Sequence, residues 1–288
     1  GQPRGGYHIF DDLLSNRQIR ENAVRRELAT ASLDDRFALY YQPIVNARTG
    51  LIEKAEALLR SQDHGVSGIP ASLVVSVAED SGQIVALTDW TIDSALRAAD
   101  QLNMPVAINL SPAYFRRADF ANKLVDRLIE ARCAPSALIV EVTEGVLIAD
   151  VKQARETIDH LRAIGIEVWL DDFGTGYSSL SYLQSFDLDG VKLDRSFIQE
   201  VGRSEKAARI VRAMIEFSHS LGMKTVVEGI ESEWQARILQ LQGCDYLQGY
   251  ELGVPMPITE FAELLQHGSN TSSHHGEPPT AAGIGGRL

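Results

Sequence analysis

The chain has little cysteine and no long apolar run. Its 288 residues include two cysteines, Cys133 and Cys244, too few for a disulfide framework. We therefore expect both to be buried free thiols in a reducing compartment. No run of 18 apolar residues occurs, so the sequence predicts no membrane span in this chain.

Positive charge is also scarce. Lys and Arg number 27 against 39 Asp and Glu, which gives a net charge of −12. A chain this acidic is poorly suited to the phosphate backbone of nucleic acids, so we expect no DNA or RNA partner. Metal ions would still allow it to bind a small anionic ligand.

The stretch VWLDDFGTGYSS, residues 168–179, carries two adjacent aspartates but lacks the surroundings of known phosphate loops. The His-Arg-Asp loop of kinases is absent, and Ser179 stands where a dinucleotide loop has its third glycine. Two carboxylates about 4 Å apart repel by about 4 kcal/mol at an effective dielectric of 20. Asp171 and Asp172 therefore need a cation or a shifted proton.

Apolar segments alternating with helical patterns predict an α/β fold. The candidate strands are residues 37–45, 54–60, 106–111, 138–144, 168–172, 190–194, 224–229 and 245–249. Residues 150–165 repeat apolar side chains at helical spacing and end at Gly165, and residues 206–222 place Ile210, Met214 and Leu221 on one helical face. This order indicates a (β/α)₈ TIM-like barrel, with an open doubly wound sheet as the alternative.

The start of the barrel should be irregular. The connection NARTGLIE between the first two strands is too short for a helical crossover, so the first strand should be antiparallel. Residues 1–35 predict a helical lead-in or linker, and residues 36–267 form the barrel domain. Residues 268–288 are small, polar and rich in Gly and Pro, which predicts a disordered tail.

Polar residues fall where the predicted strands end, which is where barrels place their chemistry. Taken singly, each has an ordinary explanation, such as a solvated strand end, a turn or a helix cap. Their collection at one end of successive strands favours a shared site. The set contains carboxylates, an amide and a lysine without His or Cys, which suits Mg²⁺ or Mn²⁺ better than zinc. Two ions that share an aspartate would explain the adjacent pair.

Together these motifs resemble the EAL-domain phosphodiesterases, which hydrolyse the bacterial second messenger cyclic di-GMP. The resemblance runs from about Phe37 to His267 and includes the signature Glu56-Ala57-Leu58. The other motifs in the family's order are YYQPIV, INLSP, EVTE, DDFGTGYSSL, VKLDRSF, VVEGIE and GCDYLQGY. Val254 departs from the family, which often has a basic residue before the proline.

The resemblance implies a role for each matching residue. The implied ligands of two Mg²⁺ or Mn²⁺ ions are Glu56, Asn109, Glu141, Asp171, Asp172 and Glu228. The implied catalytic residues are Lys192, Glu228, Gln248 and Glu56, with Lys192 orienting or activating the attacking water. The implied substrate contacts are Gln42, Leu58, Arg60, Asp194 and Pro255. Glu144 and Glu231 are implied to anchor the loop that follows Asp172.

The resemblance also implies hydrolysis to linear pGpG, a homodimer, an upstream sensory or cyclase-like domain, and a cytoplasmic location in a bacterium. Two alternatives remain open at this point. The chain could be a catalytically silent EAL domain that acts as a cyclic di-GMP receptor. It could also be an unrelated metal-dependent barrel lyase or hydrolase, because enolase-type barrels likewise combine carboxylates with a lysine.

Overall fold

Eight strands close into a barrel in the computed structural model. It describes the backbone of residues 6–29, 32–62, 69–174, 183–201 and 204–271, and within these ranges the side chains from residue 17 to residue 267. The strands are β1 (Phe37–Asn46), β2 (Ile52–Ser61), β3 (Val106–Asn109), β4 (Leu138–Thr143), β5 (Glu167–Phe173), β6 (Gly190–Leu193), β7 (Lys224–Val227) and β8 (Tyr246–Leu247).

Helices lie outside this barrel and connect most of its strands. They are α1 (Gly6–Leu28), α2 (Ala71–Asp80), α3 (Ile84–Leu102), α4 (Pro112–Phe115), α5 (Phe120–Ala131), α6 (Glu144–Ala149), α7 (Val151–Ile164), α8 (Glu205–Ser220), α9 (Glu233–Leu241) and α10 (Ile258–Thr271). No helix among the described residues is both long and apolar enough to cross a lipid bilayer.

The irregular start of the barrel is confirmed. Strand β1 runs antiparallel to β2 and to β8, whereas the remaining neighbours are parallel. The register places Gln42 opposite Glu56. Because β1 is reversed, its earlier residues lie at the end of the barrel where the other strands finish.

The barrel interior is filled in layers, because strand residues two positions apart point to the same face. One layer is apolar and consists of Ile44, Ala107, Ile139, Trp169, Val226 and Tyr246. Moving two residues towards the carboxyl end of the barrel gives a polar layer made of Gln42, Asn109, Glu141, Asp171, Glu228 and Gln248. Strand β2 contributes Glu56 to it, and β6 contributes Lys192 two residues after Gly190. The Trp169 ring occupies the space that a β-carbon at Gly190 would need.

The predicted helix over 150–165 is confirmed as α7, which the Asp150 side chain caps through the Gln153 backbone N–H and which ends at Gly165 with φ 95°. In α8 the predicted apolar face is correct for Met214 and Leu221, which pack against the core, but wrong for Ile210. Ile210 is exposed, and the buried residues include Val211 and Ile215. A rotation of the helix by one position places these β-branched side chains against the barrel, with Met214 at the edge of the core.

Helix α1 packs on a satellite core beside the barrel. Val24 and Leu28 join Phe37 and side chains of α2 and α3 in this cluster.

At the other end of the chain, α10 continues to Thr271, so the backbone of residues 268–271 is helical. The remainder of the predicted tail lies outside the described residues. Both cysteines are free, but only Cys244 is buried, so the prediction of a buried thiol is wrong for Cys133.

Candidate active site

A buried lysine forms the centre of the polar layer. Lys192 is 1% exposed, and its Nζ lies 2.8 Å from Glu228 Oε1, 3.0 Å from Glu141 Oε2 and 3.1 Å from Glu56 Oε2. Asp171 Oδ1 lies at 3.5 Å. These carboxylates come from four different strands or strand ends, so the barrel brings together residues that are far apart in the sequence.

A chain of amide hydrogen bonds fixes Glu56 in this cluster. Asn109 Nδ2 donates to Glu56 Oε1 at 2.7 Å, and Gln248 Nε2 donates to Glu56 Oε2 at 2.6 Å. Gln248 Nε2 also donates to Gln42 Oε1 at 3.1 Å, and Gln42 Nε2 donates to the Gly253 carbonyl at 3.1 Å. The network links β1, β2, β3 and the segment after β8 around one carboxylate.

The cluster carries more negative than positive charge, and this shifts its protonation. Burial, opposed by Lys192 and reinforced by Glu56 and Asp171, raises the pKa of Glu228 to about 7. Burial and the Glu56 charge raise the pKa of Glu141 well above its usual range. Burial disfavours the charge of Lys192, but the surrounding carboxylates outweigh it and raise the lysine pKa. Lys192 therefore stays protonated, and the site retains an excess of carboxylates that a cation can neutralise.

Glu56 differs from its neighbours because its oxygens accept strong hydrogen bonds. Burial works against its charge, but Lys192 and the hydrogen bonds from Gln248 and Asn109 outweigh burial and lower its pKa. These partners therefore favour the ionised form of Glu56.

The donor set fits a hard divalent cation. Asp171, Asp172 and Glu228 each offer an oxygen, and these three oxygens lie within 4.8 Å of one another. Glu141 Oε1 and Asp171 Oδ1 are buried acceptors without a hydrogen bond from any described group. Oxygen ligands of this kind match Mg²⁺ or Mn²⁺.

The adjacent aspartates occupy different environments. Asp171 is almost buried and faces Lys192, whereas Asp172 is exposed and has a left-handed φ of 55°. The pairing of β5 with β6 is irregular between Leu170 and Phe173, which permits this turn of the backbone. Burial and the neighbouring Asp171 raise the pKa of Asp172. Such strain in a non-glycine residue beside a charged cluster is typical of a functional site.

Glu144 contacts the segment that follows the two aspartates. Its Oε1 accepts a hydrogen bond from the Gly174 backbone N–H at 3.0 Å, and its Oε2 is buried without a described partner. The loop from 175 to 182 lies outside the described residues, so the anchoring role stays a prediction beyond this bond. Glu231, the other predicted anchor, donates its backbone N–H to Gln235 Oε1 at 2.8 Å.

Two clefts open beside the polar layer. The first, of about 390 Å³, is lined by the predicted residues Gln42, Glu56, Leu58, Asn109, Asp171, Lys192, Glu228, Glu231 and Gln248. The second, of about 450 Å³, lies against α2 and α3 and contains Arg60 and Asp172. Leu58, Asn109 and Asp171 line both clefts, so the two spaces adjoin.

Two predicted substrate contacts do not line either cleft in the described part of the chain. Among the described residues that line them, neither Asp194 nor Pro255 occurs. Asp194 instead caps a short 3₁₀ turn by accepting a hydrogen bond from the Ser196 backbone N–H at 2.9 Å. Conversely, Arg195 and Tyr250 line the first cleft without having been singled out. Both lie outside the spacing of two residues that marks the inner site, and their only local signal is proximity to the end of β6 or β8.

Comparison with known proteins agrees with this geometry. The family model described as the EAL domain matches residues 25–255. The cyclic di-GMP phosphodiesterase NbdA of Pseudomonas aeruginosa is 33% identical over 269 residues, which cover 91% of this chain and 34% of NbdA. The bifunctional diguanylate cyclase/cyclic di-GMP phosphodiesterase MucR of the same organism is 34% identical over 264 residues, covering 89% of this chain and 38% of MucR.

A solved structure of an EAL-family phosphodiesterase is also similar to this chain. The structure described as the PaMucR phosphodiesterase in complex with c-di-GMP has a TM-score of 0.77 and 35% identity to this chain, covering 83% of this chain and 99% of that one. This chain spans about a third of the length of the first curated relatives that it matches. The match to most of the chain and the shared barrel establish that it belongs to the EAL domain family.

Proposed function

We propose that this chain is a metal-dependent phosphodiesterase that hydrolyses cyclic di-GMP to linear pGpG. The observation that carries the proposal is the group of four carboxylates around the buried Lys192 at the carboxyl end of an EAL-family barrel. Lys192 and three of these carboxylates line a cleft. The names of the relatives NbdA and MucR support the same substrate.

Six residues are proposed to hold two Mg²⁺ or Mn²⁺ ions. They are Glu56, Asn109, Glu141, Asp171, Asp172 and Glu228. When bound, such ions would lower the pKa of a water molecule and offset negative charge on the phosphate. The site can accommodate two such ions because its carboxylates carry more negative charge than Lys192 neutralises.

Lys192 is proposed to act as a charged donor. Because its neighbours hold it protonated, it can orient the attacking water and stabilise the anionic transition state, but it is poorly suited to removing a proton. Glu228, whose Oε1 lies 2.8 Å from Lys192 Nζ and whose side chain is 22% exposed, is proposed to assist Lys192 in this role as well as to hold an ion. The water oxygen adds to phosphorus, the bond from phosphorus to the 3′ oxygen breaks, and that oxygen takes up a proton.

The proposal also includes the residues that the family resemblance implies as substrate contacts. Gln248 donates a hydrogen bond to Glu56 and another to Gln42, and both amides line the first cleft. Leu58 lines both clefts, and Arg60 lies in the second cleft. Asp194 and Pro255 stay predicted substrate contacts. The homodimer, the upstream sensory or cyclase-like domain and the cytoplasmic location also stay predictions.

Substitution of Glu56 tests the proposal. Glu56→Gln removes one charge but keeps the shape, and we expect turnover of cyclic di-GMP to fall by at least about 100-fold. Glu53→Gln is the matched control, because Glu53 lies on the same strand and bonds to Asn46 at the far end of the barrel. Chromatography of the product from both variants and the unmodified chain gives the comparison. An equal loss of turnover in both variants, or normal turnover by Glu56→Gln, would contradict the proposed role of Glu56.

A further inference from the structure

Two glycines bring three loops together at the mouth of the first cleft. A β-carbon at Gly249 would lie 2.2 Å from the backbone nitrogen and oxygen of Ile230, so only glycine permits this approach. The Ile230 N–H donates to the Gln248 carbonyl at 3.1 Å, and the Glu251 N–H donates to the Ile230 carbonyl at 3.0 Å. The segments after β7 and β8 therefore pack backbone to backbone.

The segment after β6 joins them through the second glycine. A β-carbon at Gly229, which has a φ of 71°, would lie 2.3 Å from Arg195 Cβ and 3.1 Å from Arg195 Cα. The backbone at Arg195 is also held by the Asp194 cap on the Ser196 N–H. The base of the Arg195 side chain is thus fixed at the cleft, while its outer part is exposed.

The charge of Arg195 is available to a ligand. Among the described residues that line the cleft, the other cation is Lys192, which is buried among four carboxylates. Within the described part of the chain, by contrast, Arg195 forms no salt bridge. An exposed guanidinium beside a cleft can bind a phosphate through two parallel hydrogen bonds.

A cyclic dinucleotide brings two negative phosphates into this acidic space. Cations bound by the inner carboxylates can neutralise the phosphate that reacts, but Glu231 at the mouth repels anions. We propose that Arg195 is a substrate-binding residue that takes a phosphate of the dinucleotide at the mouth of the first cleft. This inference rests on the proposed function and adds a binding residue to it.

Steady-state kinetics of Arg195→Ala test the inference. Alanine keeps the β-carbon that contacts Gly229, so the rim should stay folded, and an unchanged melting temperature checks this. We expect KM for cyclic di-GMP to rise about tenfold, kcat to stay within about twofold, and Arg195→Lys to fall between the two. The control is Arg209→Ala, which removes an exposed arginine from α8 and should leave both constants unchanged. An unchanged KM for Arg195→Ala, or a loss confined to kcat, overturns the inference.

A base contact is distinguished from a phosphate contact with an analogue. Cyclic di-GMP that carries 7-deazaguanine keeps both phosphates but lacks the N7 acceptor that an arginine would read. If Arg195 binds a phosphate, Arg195→Ala should raise KM by the same factor for both compounds. If the substitution has no effect on the analogue, Arg195 reads the base and the inference is wrong.

Binding measurements separate this inference from the proposed function. Calorimetry with cyclic di-GMP in the Glu56→Gln background does not require turnover. Tight binding that weakens about tenfold on adding Arg195→Ala supports the inference even where the unmodified chain forms no product. Absence of binding by the unmodified chain overturns both.

Discussion

At the scale of single residues, the site depends on the balance between one lysine and its carboxylates. Lys192 compensates charges that are buried or nearly so, and Glu141 is 1% exposed. Removing one member of such a cluster leaves buried charge without its partner, which is strongly unfavourable. The same residue therefore affects both stability and chemistry.

We expect Lys192→Met to abolish turnover and to lower the free energy of unfolding by about 3 kcal/mol in EDTA. Mn²⁺ should restore part of this loss, because a bound cation replaces the missing positive charge. Urea denaturation with and without Mn²⁺ measures both effects. Lys206→Met, on the exposed surface of α8, is the control and should change neither. A Lys192→Met protein that remains as stable as the unmodified chain in EDTA would contradict the account.

Sequence alone could indicate the inner site residues because they obey a simple geometric rule. Glu141 and Asp171 follow interior apolar residues at a spacing of two, and strands that end together bring them together. Arg195 had no such signal, since its position depends on a contact with Gly229 from another loop. Likewise, nothing local in the sequence indicated that Arg60 would lie in a second cleft.

At the scale of elements, the mouth of the site is built by loops that touch through their backbones. The contact between Gly249 and Ile230 leaves no room for a side chain, so the sequence constrains these loops as tightly as it constrains the barrel. Strand β8 has only two residues, and the loop after it relies on hydrogen bonds to Ile230 for support.

Gly249→Ala tests this packing. Its β-carbon must push the two loops apart, and we expect a loss of about 1–3 kcal/mol in unfolding free energy together with a raised KM. Gly145→Ala is the matched control, because the nearest atom to its new β-carbon is Thr143 Oγ1 at an ordinary 3.9 Å. Thermal or urea denaturation of both variants gives the comparison. Equal stability of the two variants would show that the close approach has no energetic role.

The elements themselves were largely predictable, but their ends and faces were less so. The short connection between β1 and β2 required an antiparallel pair, and helix α7 combined apolar spacing with capping residues at both ends. Ile210 was wrongly assigned to the buried face of α8 because Ile210 and Val211 are both apolar, and only the contact with the barrel decides between them.

At the scale of the whole molecule, the excess of buried carboxylates links folding to pH and to metal. The folded chain retains a proton on Glu228 up to a pH of about 7, whereas an unfolded glutamate releases it near 4.5. Between these values the folded state binds more protons, so the free energy of unfolding falls as pH rises. Glu141 acts in the same direction.

We therefore expect the melting temperature in EDTA to decrease from pH 5 to pH 7. Saturating Mg²⁺ should weaken this dependence, because a bound cation stabilises the ionised carboxylates. In EDTA, the melting temperature of a Glu228→Gln variant should depend less on pH than that of the unmodified chain. A melting temperature that rises over this range in EDTA and is insensitive to Glu228→Gln would be inconsistent with the pKa of this group.

The most direct measurement of the central claim is chromatography of cyclic di-GMP after incubation with the chain in Mg²⁺, in Mn²⁺ and in EDTA. We expect linear pGpG in the presence of either metal and unchanged cyclic di-GMP in EDTA. Product that forms equally in EDTA would contradict the role of the carboxylate cluster. Tight binding without product under all three conditions would contradict the enzyme and favour a cyclic di-GMP receptor.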